Sequence, residues 1–251
     1  MKSIYKSLLL VCLCVINTTL IAQISTNNYY SSIKSFDLSK LWLSGKINSI
    51  SEGLIDTEPL GFIGDNYQRF YIHYTSVIKD ASNPYKYLIK GKTRVKDNIC
   101  SFAGTITILK AELYKESDNP KYKEGRVICS VDFKEDSSQV DAGFIKGTLI
   151  TNWCSDKQRN IIYDSINSEA DGFDNNQCEA TWTSYKTHKS KICNWGDFRI
   201  PKSKDLDKGA GEVSVNPKYI KNGWENYMKS LHTNEPGNKE AVKEENRKWW
   251  L

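Results

Sequence analysis

The residues that could do chemistry are few. The chain holds only three histidines, His73, His188 and His232, and none lies in a spacing that activates a serine or cysteine or ligates zinc. A catalytic triad and a zinc hydrolase are therefore not expected. Glycoside hydrolysis needs only two carboxyl groups about 5–10 Å apart, and Glu58, Asp65, Asp197 and Glu212 are the candidates. Acids are abundant in a chain of this size, so a carboxylate-dependent hydrolase ranks behind a binding role. Between residues 164 and 179 stand Asp164, Glu169, Asp171, Asp174 and Glu179 without a lysine or arginine. Asp171-Gly172-Phe173-Asp174-Asn175-Asn176 offers oxygen ligands of the kind calcium takes. It lacks the EF-hand spacing and reads first as a polar turn. No metal and no cofactor is expected.

Two sets of side chains point to binding instead. Lys86, Lys90, Lys92 and Arg94, continued by Lys96, fall on one side of an alternating segment. Such a row is an anion-facing surface or a solvated sheet face whose lysines discourage edge pairing. Tyr85, Tyr87, Trp153, Trp182 and Trp195 are aromatic enough to line an apolar or carbohydrate pocket, although core packing competes for each of them.

Five cysteines lie beyond residue 22: Cys100, Cys129, Cys154, Cys178 and Cys193. No spacing is Cys-x-x-Cys, and an odd number leaves at least one thiol unpaired. Cys129 alternates with Val127 and Val131 and reads as a buried thiol that behaves as a small hydrophobe. A hairpin between them makes Cys178–Cys193 the expected disulfide, with Cys154–Cys193 as its competitor.

The segments that must position these groups begin after residue 22. Lys2 and Lys6 precede an uncharged run with an apolar core over 8–16, and Ala22 stands before Gln23. That is the anatomy of a cleaved secretory signal, and the run is too short for a membrane span of about 20 apolar residues. A secreted or periplasmic protein without a transmembrane anchor is expected, a setting that permits disulfides. Losing Lys2 and Lys6 takes the formal charge from +5 to +3. So weak an excess is not the footprint of a nucleic-acid binder.

Residues 23–60 read as a loosely ordered segment with one helical turn capped by Asp37. From 61 to 200 the period is two, with polar turns between seven or eight runs. Inner faces are formed by Phe70, Ile72 and Tyr74, by Tyr87, Ile89 and Thr93, and by Val127, Cys129, Val131 and Phe133. A parity change between Ile108 and Leu109 implies a β-bulge or a strand that leaves one sheet face for another. The expected fold is all-β: an antiparallel meander barrel of about eight strands, with a sandwich as alternative. Residues 201–251 read as an irregular loop and helices packed on its outside. Asn216-Pro217 starts the first helix, and Trp224, Tyr227, Met228 and Leu231 make its apolar stripe.

The Ala22-Gln23 junction, the strand pair around Gly91-Lys92 and Phe102-Ala103-Gly104, and the stretch Cys193-Asn194-Trp195-Gly196-Asp197-Phe198-Arg199-Ile200-Pro201 resemble exported proteins of uncharacterised function from Bacteroidota-type bacteria. The outline is similar to lipocalin-like barrels, without their Gly-x-Trp near the first strand. The leading expectation is a non-enzymatic protein that binds a small apolar or carbohydrate ligand in or at the rim of the barrel. A protein-interaction module of the inhibitor or immunity type, meeting an extracytoplasmic partner, is the second.

Overall fold

Alternation of apolar and polar side chains becomes strand wherever one face can be buried, and from residue 60 to 197 this chain buries one face almost throughout. The structure is a computed structural model that describes residues 25–48, 54–56, 58–234 and 236–251. The signal segment expected over 1–22 lies outside them. No helix among the described residues is long and apolar enough to cross a membrane.

The strands, in chain order, are β1 (Thr26–Asn28), β2 (Lys46–Asn48), β3 (Leu54–Asp56), β4 (Leu60–Ile63), β5 (Gln68–Lys79), β6 (Lys86–Val95), β7 (Asn98–Tyr114), β8 (Lys123–Glu135), β9 (Gly143–Ser155), β10 (Ile161–Tyr163), β11 (Asn175–Ser184) and β12 (Ser190–Asp197). Eight of them form a closed antiparallel ring in the order β4-β5-β6-β7-β8-β9-β11-β12, and β12 returns to pair with β4. The short strands β1 and β10 add to β7 and β9, and β2 pairs with β3 apart from the ring. This is the meander barrel expected from the periodicity. The parity change falls where the β7–β8 register shifts between Ile108 and Lys110, with Leu109 turned out to solvent.

The width of the barrel follows from its stagger. Successive cross-strand partners lead from Ile108 through Cys129, Leu149, Cys178, Trp195, Gly61, Phe70 and Val95, and return to β7 at Asn98. A stagger of about ten residues over eight strands gives a tilt of roughly 43° and a radius of roughly 8 Å. Inward side chains from opposite walls meet at the axis of so narrow a cylinder. They do so here through Tyr74, Phe102, Phe133 and Trp195, whose ring centroids lie 4.9–6.5 Å apart.

One end is plugged. The one-turn helices α1 (Tyr30–Ile33) and α2 (Ser39–Trp42), with Leu38 between them, bury Ile33, Leu38, Leu41 and Trp42 in the barrel core. Asp37 accepts from the Ser39 N–H, but Leu38 and not Asp37 occupies the N-cap of α2, which has no side-chain cap. Trp42 donates to Thr151 Oγ1 at 2.7 Å, and Thr151 donates to Asn176. Over 25–43, then, the segment read as loose is part of the core. Isolated apolar residues in a polar stretch give no periodic signal, yet each fully buried large side chain contributes about 1.5–3 kcal/mol.

The arm after β12 wraps the outer wall. A second apolar cluster sits there, formed by Phe62 of β4 with Ile200, Leu206, Val213, Val215, Tyr219 and Trp224. Asn216 caps a single 3₁₀ turn, Pro217–Tyr219, in place of a long helix. Gly223, at φ +90°, breaks the chain before α3 (Glu225–Ser230). Helix α4 (Asn238–Glu245) then leads to Trp249 and Trp250, which lie on Tyr71 and His73 of β5.

Candidate functional site at the barrel mouth

The end opposite the plug is open. Four connections rim it: 64–67, 96–97, 136–142 and 185–189. Each carries one non-glycine residue in the left-handed region, namely Tyr67, Lys96, Asp141 and His188, all with φ of 52–55°. Hairpin connections use such residues because their twist matches that of the strands.

Inside the rim is a cup of about 640 Å³. Its wall is mixed: Ile63, Phe70, Val95 and Trp182 are apolar, and Asn66, Thr93, Asn98, Ser184 and Thr187 are polar. Lys96, Asp97, Asp141, Lys189 and Lys191 stand around it, all of them exposed, with Lys96 and Asp97 at the tip of the β6–β7 turn. Below the cup the barrel is closed. The void bounded by Trp42, Tyr74, Leu149 and Trp195 holds about 10 Å³, the size of one water at most.

Glu135 organises the wall. It continues the inner-face alternation of β8 beyond Phe133 and is buried. Its Oε2 accepts from the Trp182 indole N–H and from the Gly143 backbone N–H, both at 2.8 Å. Its Oε1 accepts from the Thr93 hydroxyl. A buried carboxylate is tolerated when donors of this kind surround it, and these three fix the indole in place. A Cβ on Gly143 would lie 2.7 Å from the indole ring, so only glycine lets the ring pass across the start of β9.

The cup carries no activated nucleophile. Cys100 lines it, but burial first, and the Glu135 carboxylate second, push its thiol up to about 11. It stays protonated at neutral pH and hydrogen-bonds the Val140 carbonyl. Among the described residues no group of three or more His, Cys, Asp and Glu is arranged to hold a metal ion.

Of the five aromatics expected at a pocket, only Trp182 lines the cup. Tyr87, Trp153 and Trp195 are fully buried in the barrel core. Tyr87 Oη accepts from the Leu38 N–H, and Trp195 donates to Tyr74 Oη. Tyr85 stacks on Tyr30 with centroids 4.2 Å apart, at the plugged end. The roughly 8 Å radius is the reason: aromatics on the inner face at mid-barrel become the filling.

The basic row divides too. Lys86, Lys90 and Lys92 face outward on β6, but Arg94 is buried beneath the C-terminal arm. Its guanidinium lies 3.9 Å from the Tyr71 ring centroid and 3.6 Å from Glu244 Oε1. Arg94 thus belongs to an intramolecular contact rather than to an anion-facing surface. That contact spans 150 residues of sequence and leaves no local signal.

The Cys178–Cys193 disulfide is absent, and all five cysteines are buried free thiols. The expected hairpin forms, but its register sets Cys178 opposite Trp195 and Cys193 opposite Ala180. The two cysteines are diagonal neighbours rather than partners. Cys154 lies by β10, where its thiol meets the Ile162 carbonyl.

The candidate acids are scattered. Asp197 is buried near the plug, where it accepts from Tyr163 Oη and Asn176. Glu58 pairs with His73 Nδ1 at 2.8 Å, Asp65 lies in the β4–β5 turn, and Glu212 belongs to the C-terminal arm. No two of them face each other across a cleft.

Residues missed by reading the sequence include Glu135, Lys189 and Lys191. The signal was present in the alternation: Glu135 follows Val131 and Phe133 by steps of two, and Lys191 and Lys189 precede Cys193 by the same step. Charged residues that continue an apolar inner face mark where a barrel meets solvent. Comparisons with protein-family models, with curated proteins and with solved structures returned no match.

Proposed function

We propose that the chain is an exported, non-enzymatic binding protein that holds a small carbohydrate ligand in the cup at the barrel mouth. The observation that carries this reading is Trp182, a partly exposed indole pinned by Glu135 in the wall of a 640 Å³ recess above a filled interior. Sugars combine apolar C–H faces with dense hydroxyls, and binding sites for small molecules pair apolar walls with a few placed polar groups. Asn66, Asn98, Asp97, Asp141 and Ser184 supply donors and acceptors beside the indole. A purely apolar ligand fits less well, since it would leave those polar groups dry and unpaired. The residue pattern over 1–22 supports export.

Calorimetric titration of the chain from residue 23 onward against a panel of monosaccharides, short glycans and fatty acids tests the proposal. Binding of at least one sugar, lost in Trp182→Ala, is expected. Uniform lack of binding, or sugar binding indifferent to Trp182→Ala, overturns it.

One observation favours a second reading, a protein-interaction surface. Ile78 and Leu88 face each other across β5 and β6 on the outer wall and are 60% and 47% exposed. If that patch meets an extracytoplasmic partner, Leu88→Asp abolishes recovery of the partner and leaves sugar binding untouched.

A further inference from the structure

We infer that the cup selects an acidic sugar, a uronic acid or short uronate chain, over a neutral one. This rests on the carbohydrate reading above and adds the charge of the ligand. Lys191 is the direct cross-strand partner of Trp182, and its ammonium lies 5.9 Å from the indole centroid. Lys189 is two residues away, on the same inward parity and on the same rim.

Lysines elsewhere on β7 and β9 are neutralised in place, Lys110 by Glu112 and Lys146 by Asp132. Lys189 and Lys191 have no carboxylate partner among the described residues, and both are exposed at the cup. The buried carboxylate of the wall, Glu135, already accepts from three donors. The remaining acids, Asp97 and Asp141, come from other connections of the rim, where an ionised carboxylate accepts hydrogen bonds from sugar hydroxyls. A pyranose lying against the indole would thus carry its carboxylate toward Lys191 and Lys189 and its hydroxyls toward Asp97, Asp141 and Asn98.

The test compares galacturonate with its methyl ester, which keeps the shape and removes the charge. Both are titrated calorimetrically at low ionic strength into the chain from residue 23 onward, into Lys189→Gln/Lys191→Gln and into Trp182→Ala. Galacturonate is expected to bind roughly five- to tenfold more tightly than the ester. That preference should vanish in the double lysine variant and shrink at high salt. The two lysines are exposed, so an unchanged unfolding midpoint is expected and checks that the variant is folded. Equal affinity for acid and ester, or a preference that survives in the double variant, overturns the inference and leaves the carbohydrate reading standing. Binding of neither compound, with no other sugar bound, removes both.

Discussion

Trp182 and Glu135 are joined at 2.8 Å across the barrel mouth, and their strands, β11 and β8, are not neighbours: β9 runs between them. The indole reaches over Gly143, the first residue of β9, to find the carboxylate. Glu135→Ala would leave three donors without their partner, the Trp182 and Gly143 N–H groups and the Thr93 hydroxyl. Each buried unsatisfied group costs about 1–3 kcal/mol. A loss of roughly 2–5 kcal/mol is expected, measured as the shift in urea midpoint at constant m-value. Gly143→Ala should displace the indole while leaving the carboxylate, and so weaken sugar binding more than its stability loss alone implies.

The thiols offer a count. All five cysteines beyond residue 22 are buried and unbonded, and burial raises the thiols of Cys129, Cys178 and Cys193. Protonated, inaccessible thiols react slowly with disulfide reagents. The native chain from residue 23 onward should therefore show almost no reaction with Ellman's reagent, and the chain unfolded in guanidinium without reductant should show five thiols. Three thiols after unfolding would mean that a disulfide forms.

Asp164 makes the stability depend on pH in an unusual direction. Burial raises its carboxyl from 3.8 to about 6, and Glu124 and Asp118 add to the shift. The folded state therefore binds more protons than the unfolded state between about pH 4 and 6. Stability falls as pH rises through that window, and the full penalty, on the order of 3 kcal/mol, is present above it. Asp164→Asn keeps a side-chain oxygen able to accept from the Ile166 N–H. The variant should match the parent near pH 3.5 and exceed it at pH 7, as read from urea unfolding at both values.

The C-terminal arm hangs on Trp224. Its side chain is fully buried, its indole donates to the Tyr67 carbonyl at 2.8 Å, and the Arg69 guanidinium lies 4.3 Å from its centroid. Trp224→Ala should cost about 3–5 kcal/mol. It should also expose residues 198–251 to proteolysis before the barrel is cut. Gly223→Ala should act the same way more mildly, since φ is +90° there and the added Cβ would sit 3.0 Å from Arg69 Cβ.

Much of this architecture is legible in the chain itself. Period two in 68–78, 85–95 and 126–133 yields strands, and the parity change at Ile108 falls where the bulge lies. What is not legible is set by distance through space. The seam between β12 and β4 rests on four residues, Leu60–Ile63, too few to show a period. The plug depends on Ile33, Leu38 and Trp42, which are apolar residues without a pattern. Tyr87, Trp153 and Trp195 carry the right chemistry for a pocket, but the stagger that makes the barrel narrow cannot be read from any one strand. Trp182 differs in its place along the barrel, four residues nearer the mouth than Cys178, the cross-strand partner of Trp195.

The most direct test of the mouth as a binding site is a two-dimensional proton–nitrogen NMR titration that follows the tryptophan indole N–H signals as sugar is added. The account predicts that the Trp182 signal moves in a saturable way while those of Trp153 and Trp195, sealed in the filled barrel, stay where they are. A still Trp182 signal, or equal movement of the buried tryptophans, would contradict it.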